Sequence, residues 1–409
     1  MHFNDVIGQQ ALKQQLTHMI QQNRLSHALL FLGKEGVGAL PLAIAFAQYI
    51  CCENNPLQTN KKKEAPAAAS LFGEEPAIAT NTDPASFTEA CGICSSCTKA
   101  AQLVHPDIHF SYPTVTLKSG DKPISTNFIT QWRKFIAAQP YGNVYDWLQE
   151  INTENKQGNI TAEECNDIIR KMSLKSFESA YKILIMWMPE MLGKNGNKLL
   201  KLIEEPPPDT LFILVAENDA LILPTILSRT QLVKVPLLQP ADIQQALVTQ
   251  QHLPLHTAKQ IASICEGNYH EALQQLQHAD DNWETMLKEW LNATVRFNAA
   301  AQVKWIDETA KIGREKQKQF LKYFTHILEQ SIRYSANPTL LSEHTSDSII
   351  SFAQKFNKMC DATQLEAIAQ MLSEAAYYIE RNANAKMLFH ALTIRLYHII
   401  TNKSLILIQ

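Results

Sequence analysis

Seven residues, Cys91-Gly92-Ile93-Cys94-Ser95-Ser96-Cys97, set three thiols at C-x-x-C-x-x-C spacing. Such a short turn can wrap three thiolates around one tetrahedral ion, and a structural Zn²⁺ takes four ligands, with Zn–S near roughly 2.3 Å. The fourth is sought in Cys51-Cys52. Neighbouring residues on a helix point to different sides, so one of the two can serve. The register of Tyr49-Ile50-Cys51-Cys52 favours Cys52, with Cys51 as the competitor. An iron–sulfur cluster is the rival, but the C-P spacing of simple ferredoxins is missing. A centre closed by Cys52, Cys91, Cys94 and Cys97 has no open position, so its role is structural: it anchors both ends of residues 53–90. His105, in His105-Pro106-Asp107, reads as a packing or turn residue, and Cys165, Cys265 and Cys360 as core thiols.

A second group is Gly33-Lys34-Glu35-Gly36-Val37-Gly38-Ala39-Leu40. It follows the phosphate-loop template G-x-x-x-x-G-K-[ST] at both glycines, Gly33 and Gly38, with Gly36 between them. Alanine stands at the lysine position and leucine at the hydroxyl position. The lysine reaches β and γ phosphates and the hydroxyl ligates Mg²⁺; Ala39 and Leu40 can do neither. Lys34 lies inside the loop and does not replace the lysine. Backbone N–H groups could still hold a phosphate weakly. The other half of such a machine is a pair of carboxylates ending a buried strand. Ile183-Leu184-Ile185 instead runs into Met186-Trp187-Met188-Pro189, and the first carboxylate, Glu190, comes about one turn late.

These residues need elements to position them. Leu12, Leu16, Met19 and Ile20 recur at helical spacing over residues 9–23. Ala28–Leu32 is a continuous apolar run of the kind found in buried parallel strands, and Leu40–Cys52 is helical. Further on come a helix over Ala162–Met172, a strand at Ile183–Trp187, a helix over Asn197–Ile203 stopped by Pro206-Pro207-Pro208, a strand at Leu211–Val215 and a last one at Leu232–Val235. Strands alternating with helices predict an α/β domain with a parallel sheet covered on both faces. Residues 53–90, with Lys61-Lys62-Lys63, Ala67-Ala68-Ala69 and several prolines, read as a mobile insertion, and 111–160 as a second, partly ordered one. Beyond Pro240 the patterns are helical, including Gln317–Tyr334 and Leu365–Arg381, with one apolar run at Leu405–Ile408.

The length of 409 residues implies two or three domains. A formal net charge of −3 offers no overall basic field for nucleic acid, so any DNA contact needs a local patch or neighbouring subunits. No run is long and apolar enough for a membrane span, and Met1-His2-Phe3-Asn4-Asp5 has no basic stretch leading into an apolar one. The expected compartment is the cytoplasm, where clustered cysteines bind metal rather than form disulfides.

Four further segments, taken together, resemble the bacterial clamp-loader AAA+ family. Phe3-Asn4-Asp5-Val6-Ile7-Gly8-Gln9 looks like its N-terminal box, and Arg24-Leu25-Ser26-His27-Ala28 like its lead-in to the first strand. Asn197–Pro207 is similar to the family's N-x-L-L-K-x-L-E-E-P-P. Leu227-Ser228-Arg229-Thr230 is similar to its S-R-C, with threonine for cysteine. The resemblance covers about residues 1–280; the C-terminal third matches only in helical character.

The resemblance implies an AAA+ domain over 1–238 with a zinc module at about 52–105, a small helical lid over 239–280 and a helical collar, or oligomerisation, domain over 281–409. The family's zinc module has one cysteine ending the helix after the phosphate loop and then the triple, an order that again selects Cys52. The losses at Ala39-Leu40 and at the strand end imply a non-hydrolysing, assembly-holding subunit with no ATPase activity of its own. A third loss agrees: the lid's arginine, in G-S-x-R-x-A, is matched by His270 in Gly267-Asn268-Tyr269-His270-Glu271-Ala272. Arg229 would be a finger reaching the γ-phosphate on a neighbouring subunit. The implied partners are the gamma/tau ATPase subunits and the delta subunit in a hetero-oligomer, and through them the sliding clamp and primed DNA. Two competing readings are an active AAA+ ATPase of the gamma/tau type and a zinc-dependent nucleic-acid-binding module; the charge speaks against the second.

Overall fold

The computed structural model describes residues 1–55, 57–58, 89–116, 120, 122–153, 156–277, 283–336, 347–380 and 383–401. Most of the expected insertion at 53–90 and the apolar run at 405–408 lie outside the described residues. The chain forms two compact units, 1–277 and 278–409.

Among the described residues of the first unit, five strands form one parallel sheet: β1 (Ala28–Leu32), β2 (Ile108–Ser111), β3 (Lys182–Trp187), β4 (Thr210–Ala216) and β5 (Gln231–Lys234), in the order β2-β3-β4-β1-β5. β3 and β4 are buried along their whole length, which explains why they are apolar throughout after their first residues, Lys182 and Thr210. Alternate residues feed two cores. Leu29, Phe31, Ile183, Ile185, Ile213 and Val215 face one, and Leu30, Leu184, Met186, Phe212 and Leu214 face the other. The parallel sheet predicted from the sequence is present. β2 escaped that prediction because Ile108-His109-Phe110-Ser111 is only four residues long and half polar.

The first unit's helices are α1 (Gln10–Gln21), α2 (Ala39–Cys51), α3 (Ser95–Ala101), α4 (Ile129–Ala138), α5 (Val144–Glu150), α6 (Ala162–Met172), α7 (Leu200–Glu204), α8 (Pro224–Leu227), α9 (Pro240–Gln250), α10 (Leu255–Ile264) and α11 (Tyr269–Gln277). Every residue of α2 is buried, so the loop before it is fixed by the core itself. The segment read as a second insertion turns out to build that core. Trp132 of α4 and Trp147 of α5 are fully buried, Trp132 stacks on Tyr112 at 4.0 Å, and both tryptophans meet edge to face at 5.3 Å. Turn residues between two short helices hid this contribution. Ahead of α7, Pro189–Leu199 is 3₁₀ rather than part of one helix, and is broken at Gly193. Helices α9–α11 enclose a small core of their own, into which Ile7 and Tyr141 reach from elsewhere in the unit.

The second unit is helical throughout its described residues: α12 (Trp283–Val295), α13 (Ala299–Thr309), α14 (Arg314–Ala336), α15 (Asp347–Met359), α16 (Ala362–Glu380) and α17 (Ala385–Thr401). Trp290 and Trp305 stack nearly parallel at 4.8 Å, ringed by Phe320, Phe324 and Phe389. No described helix is long and apolar enough to cross a membrane.

Candidate functional site

The glycine loop joins the C-terminal end of β1 to α2, where parallel α/β sheets place their ligands. Gly36 and Gly38 take positive φ, +72° and +89°. Ala39 and Leu40 open α2 as buried residues, while Lys34 is exposed at the rim of the loop cavity. The chain's own groups pack against the loop glycines. A Cβ on Gly38 would meet the Tyr141 ring at 2.8 Å, and one on Gly36 would lie 1.7 Å from Asn268 Oδ1. The remaining cavity, lined by the loop with Tyr141, Trp187 and Glu217, holds about 30 Å³.

Tyr141 is held from two sides. Its hydroxyl accepts the Ile7 N–H at 2.8 Å, and its ring meets Tyr269 edge to face at 5.1 Å. The Tyr269 N–H donates to Gly36 O at 3.1 Å. His270, next along α11, lies between two carboxylates: Nε2 is 2.6 Å from Asp146 Oδ2 and Nδ1 is 3.0 Å from Glu35 Oε1. Burial opposes a charge on the ring, but the hydrogen bonds and charges of Asp146 and Glu35 outweigh it and raise the pKa to about 10. Sequence reasoning singled out His270 but missed Asp146, Glu35 and Tyr141, which no local pattern connects to it.

At the end of β3, Trp187 fills space against Trp132 and Phe135, with ring centroids at 5.4 and 5.8 Å. Glu190 is a brace between strand ends: its Oε1 accepts the N–H groups of Glu217 (2.6 Å) and Asn218 (2.9 Å). Burial raises its pKa despite those bonds. It is not among the residues lining the loop cavity.

Arg229 follows α8 on the surface. Nε lies 3.3 Å from Glu204 Oε2, and Nη1 donates to Thr225 O at 2.8 Å and Ser228 Oγ at 3.2 Å. The side chain is about one-third exposed, so one edge of the guanidinium is held by its own subunit while part of the group faces solvent.

The sulfurs of Cys52, Cys91, Cys94 and Cys97 all lie within 4.8 Å of one another. Cys52 caps the C-terminus of α2 and Cys94 the N-terminus of α3, where its Sγ accepts the Cys97 N–H. The spacing and the all-thiol donor set fit a tetrahedral metal ion. Cys51 points away and is buried, with its Sγ accepting from Ser179 Oγ at 3.3 Å. Burial pushes its thiol up to about 12, which suits an inert core group. His105 is buried as well, with Nε2 2.8 Å from Ser96 Oγ and Nδ1 accepting the Asp107 N–H.

Comparison with known proteins places this architecture. The family described as "DNA polymerase III, delta subunit" matches residues 8–71 and 68–239, more than half of the chain. The delta' subunit of DNA polymerase III from Bacillus subtilis is 27% identical over 274 residues, 67% of this chain and 60% of that protein. The tau subunit from the same organism is 24% identical over 288 residues, 68% of this chain and 37% of that protein. The Pseudomonas aeruginosa delta' subunit is 25% identical over 222 residues, 54% of this chain and 45% of that protein. The matches therefore span less than two thirds of these relatives' own lengths. With the glycine loop, the parallel sheet and the cysteine cluster already in view, the chain belongs to the DNA polymerase III delta subunit family of clamp-loader AAA+ proteins.

Proposed function

We propose that this chain is a non-hydrolysing stator subunit of a bacterial DNA polymerase III clamp loader, acting in the cytoplasm. It holds gamma/tau ATPase subunits and the delta subunit in a hetero-oligomer that places the sliding clamp on primed DNA. The observation that carries this reading is the glycine loop: it lacks the lysine and hydroxyl, and the chain's own Tyr141 and Asn268 lie against its glycines. In this reading residues 239–280 are the lid and 281–409 the collar through which subunits assemble.

Arg229 is the group donated to a neighbour. A planar, permanently charged guanidinium stabilises charge growing on phosphate oxygens, and a finger supplied in trans is worth roughly 10³–10⁵ in rate. Its contact with Glu204 is between partly exposed groups, and such pairs contribute roughly 0–1 kcal/mol. To reach a neighbour's phosphate it would also exchange the Nη1 hydrogen bonds to Thr225 O and Ser228 Oγ for the charged phosphate oxygens. Cys52, Cys91, Cys94 and Cys97 hold one Zn²⁺. The ion cross-links α2 to the Cys91–Cys97 turn and, with four sulfurs around it, leaves no position for a reacting water.

The test has two arms. The purified chain should show no Mg²⁺-dependent ATP turnover; brisk turnover would overturn the stator reading. In the reconstituted loader, Arg229→Ala should assemble normally and lose much of the DNA-stimulated ATPase activity. Unchanged turnover would remove the finger.

A further inference from the structure

Helix α11 meets the glycine loop through four contacts of different kinds. Tyr269 N–H donates to Gly36 O at 3.1 Å. Asn268, whose Oδ1 also accepts the Glu271 N–H at 3.0 Å, sits against Gly36 where only glycine fits. Tyr269 packs on Tyr141, which covers Gly38. His270 bridges Glu35 of the loop and Asp146 of α5.

The imidazole and the Asp146 carboxylate are each about 6% exposed, and Glu35 is 28% exposed. Each ring nitrogen faces a carboxylate oxygen, and a carboxylate only accepts. Gln274 Nε2 also lies 3.3 Å from His270 Nε2, but the two carboxylates, at 2.6 and 3.0 Å, are the closer partners and favour the imidazolium. Asp146 is fixed in turn by a reciprocal cap: its Oδ2 accepts the Asn143 N–H while its own N–H donates to Asn143 Oδ1, both at 3.0 Å. Removing one member of a buried, hydrogen-bonded charge cluster leaves the others uncompensated, which is far more costly than losing an exposed pair.

We infer that Glu35, Asp146 and His270 form an ionic clamp that keeps helices α9–α11 closed on the glycine loop, so that the closure is supplied by the chain itself and is independent of nucleotide. Asp146 is the fixed post, Glu35 is the loop's handle and His270 is the bolt. Tyr141 lies against Gly38 and Asn268 against Gly36 beside it. The inference stands on these contacts and not on the role of Arg229, so neither falls with the other.

Hydrogen exchange on the full-length protein tests it, read separately over 255–277, over the loop 33–40 and over the β4 strand. In the wild type, millimolar MgATP should leave exchange in all three unchanged. His270→Ala should exchange on the order of 100-fold faster over 255–277 and the loop, with β4 unchanged. Glu35→Gln, a milder change at a partly exposed site, should raise exchange in the same two segments by a smaller factor, and it serves as the deciding variant if His270→Ala fails to fold. Unchanged exchange over 255–277 in these variants would overturn the clamp. So would a rise shared equally by β4, because that would mark a general folding role. MgATP protection of the wild-type loop would equally show that closure depends on nucleotide.

Discussion

A Cβ built on Gly36 falls 1.7 Å from Oδ1 of Asn268, a residue that caps the start of α11. The loop glycine that elsewhere lets phosphate approach a backbone here lets another part of the same chain approach it. Gly36→Ala therefore meets both a side-chain clash and a positive φ of 72°. It should destabilise the first unit by about 1–3 kcal/mol in urea unfolding. A variant as stable as the wild type would mean that α11 does not pack there.

Stability should depend on pH through His270. Its folded pKa, about 10, lies above the ordinary 6.5. The contribution is then complete below about pH 6.5, declines as the pH rises and is gone above about 10. The loss of unfolding free energy between pH 6 and pH 10 should be larger in the wild type than in His270→Gln by on the order of 3 kcal/mol. Parallel profiles for the two proteins would rule out a protonated bridge.

Restoring the two missing loop residues should not restore hydrolysis. Ala39→Lys with Leu40→Thr places polar groups at buried positions and leaves Met186 and Trp187 where carboxylates are needed. Trp187 cannot simply be exchanged, since it packs against Trp132 and Phe135, and truncating such a ring costs about 3–5 kcal/mol. The double variant should turn over ATP no faster than the wild type in a coupled assay.

Metal removal should be felt at the N-terminus. Glu89, beside the cluster, accepts the N–H groups of Phe3 at 3.1 Å and Asn4 at 3.0 Å, and Ile7 further along meets Tyr141. Metal analysis should find one zinc per chain. Chelation, or Cys97→Ser, should lower the Tm and speed hydrogen exchange over residues 3–7. A chelated protein with an unchanged Tm and unchanged exchange there would show that the cluster anchors nothing.

Much of the first unit was legible in the sequence because its cause is local. Buried parallel strands need long apolar runs, and Ala28–Leu32, Lys182–Trp187 and Thr210–Ala216 carry them; the short, half-polar β2 does not. Thiol spacing at 91, 94 and 97 sets three of the clustered sulfurs by itself, and the register of α2 turns Cys52 toward them and Cys51 toward Ser179. The absence of lysine, hydroxyl and strand-end carboxylates is likewise a fact of residue identity. What packs against the glycine loop is not local. Glu35, the stretch from Tyr141 to Asp146, and His270 come from segments far apart in the chain, and only the closing of α9–α11 over the loop brings an imidazole between two carboxylates. Sequence patterns report what neighbours along the chain impose on one another. A buried charge cluster depends on desolvation and on distances across the fold, and those exist only once the chain has folded.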